Sequence, residues 1–143
     1  MTTTKTTAYK QLVIPNFYIE GNAGFSLQYV QDAFDAPRQH FSAWQAWEAT
    51  KYKHLTQDAD YELPNAYVPV FFRSITEGHN YGHVGIWDPN EHAIHTTPYG
   101  GYGKIVIPIE TVEKKSGGKS VCVGWSEDLN GLRIVRTPGK HAY

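Results

Sequence analysis

Apolar positions along this chain fall into two regimes, one after the other. In the segment GNAGFSLQYVQDAFDAP, Phe25, Tyr29 and Ala33 recur at helical spacing with the Val30/Phe34 pair beside them. That gives one apolar face and predicts a helix over Phe25 to Phe34. The glycine-rich stretch from Glu20 to Gly24 supplies a turn before it, and Pro37 stops the chain soon after. A second helix is expected to start at Ser42, with Gln45 three residues on as a capping box, and to run to about Lys53. From Tyr67 onward the pattern changes to short β-branched and aromatic runs bounded by Gly, Pro or Asn. Six strands are expected: Val68 to Phe72, His83 to Trp87, His92 to Thr96, Lys104 to Ile109, Val121 to Trp125 and Leu132 to Val135. The last two are joined through a turn containing Asn130-Gly131. Pro69 and Pro108 each remove a ladder donor, which predicts edge strands or bulges there. Two early helices followed by an antiparallel run of five to six strands read as an α+β fold.

Size and charge narrow the field without naming a function. The 143 residues form one domain with one core, and residues 1 to 10 read as a loose N-terminal arm. Thirteen Lys and Arg against 14 Asp and Glu leave a net charge of -1, without the basic footprint of a nucleic-acid binder. No apolar run reaches the ~20 residues of a membrane helix, and the start lacks the apolar stretch of a signal peptide. A single cysteine, Cys122, excludes an internal disulfide and reads as a core thiol on a late strand. His79, His83, His92 and His95 raise a zinc alternative, but no acid or cysteine at a usual spacing completes the set, so no metal or cofactor is expected. His79 and His92 read as surface loop residues. The alternating acids of Gln57 to Glu62 lack a calcium loop's glycine and read as a solvated loop. Glu127 and Asp128 read as a polar turn, because adjacent side chains diverge and do not form a glycosidase pair.

Three residues point to chemistry. Ser26 falls in the first turn of the first helix, His83 opens a strand, and His95 lies near the end of the next. If Asp88-Pro89-Asn90 is the hairpin loop, Trp87 pairs with Glu91 and His83 stands directly opposite His95. Opposed residues share a face with Cβ atoms about 4.5–5.5 Å apart, close enough for one imidazole to orient the other. A base held by a third polar group is the logic of a catalytic triad. A slip of one residue in register would put the two histidines on opposite faces.

GFSLQYVQDAF resembles the nucleophile helix of the papain-like NlpC-like and CHAP cell-wall hydrolases, and GHVGIWDPNEHAIHTT resembles their base strand and third-residue strand. VPVFF and VGWSEDLNGLRIV are similar to stretches of phage lysin catalytic domains. The resemblance spans roughly Gly21 to Val135. It implies a papain-like arrangement of about two N-terminal helices on the sheet, with Ser26 at the nucleophile position where the family has cysteine. His83 is then the base and His95 the orienting third residue, and the backbone N–H of residue 26 serves the oxyanion, with Gln28 and Asn22 as unassigned polar neighbours.

The activity implied is hydrolysis of an amide in peptidoglycan, either the muramoyl–alanine amide or a stem or cross-bridge peptide bond. A serine hydroxyl is a far weaker acid than a thiol, so Ser26 is expected to lower hydrolysis by orders of magnitude. The alternative is a non-catalytic wall-binding or virion structural module descended from such a hydrolase. Tyr99 and Tyr102, beside Gly100-Gly101, and Trp87 are candidate substrate contacts. The expected partner is bacterial peptidoglycan, with no nucleic acid and no membrane. The expected setting is a phage-type protein made in the host cytoplasm without a signal peptide and acting at the wall, or carried in the virion with other virion proteins. No wall-binding domain is recognised within the 143 residues, as in an excised catalytic domain or a small virion-associated protein.

Overall fold

The computed structural model describes residues 9–21, 25–98 and 104–136. In chain order the elements are β1 (Lys10–Gln11), α1 (Ser26–Phe34), α2 (Ala43–Ala49), β2 (Lys53–Leu55), β3 (Val68–Thr76), β4 (His79–Asn80) and β5 (His83–Asp88). They continue with β6 (Ala93–Thr96), β7 (Ile105–Ile107), α3 (Ile109–Lys115), β8 (Ser120–Ser126), β9 (Asp128–Leu129), β10 (Leu132–Arg133) and β11 (Val135–Arg136). This is an α+β fold in which three helices pack on a seven-strand antiparallel sheet, ordered β2-β8-β3-β5-β6-β7 with β4 paired to β3. Tyr9 packs edge-on against Trp125, and Lys10 and Gln11 pair with Arg136 and Val135, so the last two residues of the expected arm are tied down.

Both early helices form where their apolar faces predict. Ser42 caps α2 by accepting from the amide of Gln45 at 3.2 Å, and Gln45 reaches back to the amide of Phe41 at 3.0 Å. The helix is shorter than expected. It ends at Ala49, where the Thr50 hydroxyl donates to the Trp47 carbonyl, and Lys53 already belongs to β2. The strand expected over Lys104 to Ile109 is likewise cut short. Pro108 is the N-cap of α3, so the missing N–H falls where a helix start has no use for it.

Pro69 lies in the central strand β3 and not at an edge. It pairs with Ile86 of β5, and the pairing of β3 with β8 begins one residue later at Val70. The bulge falls two residues on, where Phe71 opposes Gly124 and Phe72 opposes Cys122, leaving Val123 as the extra residue. The Asn-Gly turn forms as expected: Leu129 pairs with Leu132, and Asn130 and Gly131 both take positive φ.

Register fixes which residues share a face of the sheet. Val70, Phe72, His83, Gly85, Ile94, Thr96, Ile105 and Ile107 fall on one face. Phe71, Val84, Ile86, Asp88 and His95 fall on the other, where Trp47 of α2 packs on Phe71 with ring centroids 5.2 Å apart. The core is contiguous, with Val30, Phe34, Phe71, Phe72, Ile86 and Trp125 all at 1% exposure or less.

Glu127 and Asp128 are buried, contrary to the polar turn expected of them. Glu127 accepts from His54 Nε2 at 2.7 Å and from Arg133 Nη2 at 2.6 Å, and His54 stacks flat on Trp125. Asp128 accepts from the amides of Lys51 and Tyr52. The two acids diverge, as adjacent side chains must, yet both hold the segment Lys51 to His54 that enters β2, and Glu127 also holds Arg133. Among the described residues no helix is long and apolar enough to cross a membrane.

Candidate functional site

Ser26 is the first residue of α1 and is buried. Its Oγ accepts a hydrogen bond from the amide of Val84 at 3.3 Å, so the hydroxyl rests on the peptide bond between His83 and Val84. At a helix start the first amides have no carbonyl one turn back to receive them. The N–H groups of this turn, together with the helix dipole, favour negative charge beside Ser26. Ser26 also lines a cavity of about 390 Å³, whose wall includes Gln28, Arg38, His40, Phe41 and Tyr81. Arg38 is held by a bidentate pair with Asp32 of α1. Gln28 is half-buried on this wall, and Asn22 lies outside the described residues.

His83 is buried, and burial lowers its pKa from 6.5 to about 4. It is therefore neutral at ordinary pH. Its Nε2 lies 2.8 Å from the Thr96 hydroxyl, which itself donates to the Val84 carbonyl at 2.7 Å. The hydroxyl's one proton is thus committed, so its oxygen accepts and Nε2 carries the imidazole proton. That leaves Nδ1 as the basic nitrogen.

The hairpin register differs from the expected one. Asp88 pairs with Ala93, Trp87 with Ile94 and Ile86 with His95, so four residues, 89 to 92, make the loop. The cause is local. The Asp88 carboxylate accepts from the amides of Asn90 and Glu91, and His92 takes a left-handed φ of 52° to close the turn. The shift puts His95 on the face opposite His83. There His95 bonds Asp88 Oδ2 at 2.9 Å and stacks on Phe17 at 3.7 Å. The Asp88 pKa is shifted down: burial pushes it up, but the bonds from His95 and the two amides outweigh that. The residue holding the expected base is therefore Thr96, adjacent to the expected one. A threonine is a common strand residue, and nothing in the sequence marks it out until the register is known.

The remaining candidates sort cleanly. Trp87 is buried with its indole N–H donated to the Pro64 carbonyl at 2.9 Å, so it is core and offers no surface to a substrate. Tyr99 and Tyr102 lie outside the described residues. His79 and His92 are both exposed, as expected, and His92 is in the β5–β6 loop, but His79 pairs with Thr76 in strand β4. Cys122 is half-buried on β8, and burial pushes its thiol up to about 11, leaving it protonated and a poor nucleophile. No group of three or more His, Cys, Asp or Glu that could hold a metal ion occurs among the described residues.

The buried imidazole makes a measurable prediction. Between pH 6.5 and about 4 the unfolded chain protonates this histidine and the folded one does not. Stability is fully present above 6.5 and falls by roughly 3 kcal/mol as pH drops through that window. Urea midpoints followed from pH 7 to 4 are expected to show this acid limb, and His83→Gln is expected to flatten it. An unchanged limb in the variant would assign it to other groups.

Comparison with family models, with curated proteins and with solved structures returns no match to this chain.

Proposed function

We propose that this chain is a papain-like peptidoglycan hydrolase domain, an amidase or endopeptidase, with Ser26 at the nucleophile position. The observation that carries the reading is the juxtaposition at the head of α1. Ser26 Oγ rests on the amide next to His83, His83 is neutral with its Nε2 proton on Thr96, and a cavity opens beside Ser26. Ser26 meets β5 at the Val84 amide, Thr96 meets it at His83 and the Val84 carbonyl, and the helix start supplies amides for an oxyanion. In this reading His83 Nδ1 takes the proton of the nucleophile and returns it to the leaving amine. Thr96 fixes the tautomer with the proton on Nε2 and Nδ1 basic, the part expected of His95.

Burial keeps the imidazole unprotonated over the physiological range but also makes it a weak base; with cysteine at residue 26, a thiolate beside it would raise its pKa and hold the two as an ion pair. The serine remains a weak nucleophile, so catalysis by the chain as it stands is slow.

A second reading rests on the same hydrogen bond. Ser26 spends its oxygen on the Val84 amide, as a purely structural serine would, which suits a wall-binding or virion module that does not cleave. Purified peptidoglycan incubated with the protein and with its Ser26→Cys variant tests both. Release of soluble fragments and new amino groups by the variant supports the hydrolase. Co-sedimentation with sacculi without cleavage by either protein supports the binding module.

A further inference from the structure

A second cavity, of about 290 Å³, lies behind His83 on the face of the sheet covered by α3. Ile105, Ile107 and Val112 give it an aliphatic wall, which His83 and Thr96 also line. Two polar features break the apolar lining. Thr97 is 1% exposed, and its hydroxyl has no hydrogen-bond partner, an unusual state for a buried hydroxyl. Lys115, in the last turn of α3, is exposed and lines the cavity, and it makes no ion pair among the described residues.

An aliphatic pocket with an orphan hydroxyl and a cation on its wall is complementary to a short apolar group carrying a carboxylate. We propose that this cavity receives the leaving residue of the scissile amide, an aliphatic amino acid with a free α-carboxylate. The proposal rests on the hydrolase reading and narrows it from amidase or endopeptidase to release of the terminal residue of a stem peptide, seen as free amino acid and not as solubilised wall. The position fits the chemistry. As the C–N bond breaks, the departing amine takes its proton from His83, and water supplies the hydroxyl of the new acid. The leaving residue must therefore lie beside His83, where this cavity is. Lys115 and Thr97 act as binding residues in this scheme, and they touch no reacting atom.

The test is binding, which needs no turnover. D-alanine and D-leucine, with their amides as controls, are titrated into the protein while the His83 imidazole and Val112 methyl signals are followed by NMR. The acids are expected to shift both signals with at least ~10-fold tighter binding than the amides, and Lys115→Gln is expected to erase that preference. Val112→Trp, which fills the cavity, is expected to abolish binding of both. Equal binding of acid and amide, indifference to Lys115→Gln, or no shift at saturating ligand overturns the proposal. Failure here in a protein whose Ser26→Cys variant cleaves peptidoglycan removes only this subsite. Acid-selective binding in a protein whose variant never cleaves keeps the cavity as a carboxylate site and removes the hydrolase reading.

Discussion

Replacing Ser26 with cysteine is expected to raise the rate of peptidoglycan hydrolysis by ~100-fold or more, worth at least about 2.7 kcal/mol of barrier. A thiol ionises many units more readily than a hydroxyl, and in this reading three things favour the thiolate: the amides of the first turn of α1, the helix dipole and His83 as acceptor of the thiol's proton. The substitution changes one atom on a side chain already buried against β5, so the fold should tolerate it. Adding His83→Ala to the Ser26→Cys protein is expected to lower the rate again, on the order of 1,000-fold, because the base that moves the proton is gone. Fragment release assayed at pH 7 reads both changes. A variant as inactive as the parent on every wall tested would shift the assignment to the non-cleaving module.

The largest effect on stability is expected at Gly124. Its φ is +148°, and a Cβ built there meets the carbonyl oxygen of His54 at 2.1 Å and the Trp47 ring at 3.1 Å. The bulge at Val123 turns β8 so that its backbone passes hard against β2, and only a residue without a side chain fits. Relief would require β2 to move away, and with it His54, which carries the buried contact to Glu127. Gly124→Ala is therefore expected to cost on the order of 4–5 kcal/mol, a large part of a small domain's stability. Urea denaturation is the check. A loss under about 1 kcal/mol would mean that β2 can yield without breaking the core.

How much of this was legible in the sequence depended on the range of the physics involved. Helix α1 is readable because Tyr29, Val30, Ala33 and Phe34 mark one buried face, although Phe25, expected on that face, is the exposed N-cap residue. Helix α2 is readable because Ser42 and Gln45 cap its start. The strands were readable from their β-branched runs, and the final hairpin from Asn130-Gly131. Helix α3 was not, because the short apolar run KIVIPI reads as strand straight through Pro108, and only three residues of it pair with β6. The hairpin between β5 and β6 shows the sharper limit. Its loop length turned on whether the Asp88 side chain would cap the next amides, and that local choice decided which of His95 and Thr96 faces His83. The burial of Glu127 is illegible for a related reason. Its partners His54 and Arg133 come from different elements, and nothing local announces that they meet.

The central claim is that residue 26 and His83 form one reacting pair, and the thiol of the Ser26→Cys protein reports on it without any substrate. Its alkylation rate by iodoacetamide is followed against pH, with mass spectrometry separating the labelled peptide from that of Cys122, whose thiol is held protonated up to about 11. The account predicts a midpoint at least about one unit below the ordinary cysteine value of ~8.5, moving back up when His83→Ala is added. A midpoint at or above 8.5 that ignores the loss of His83 would contradict it.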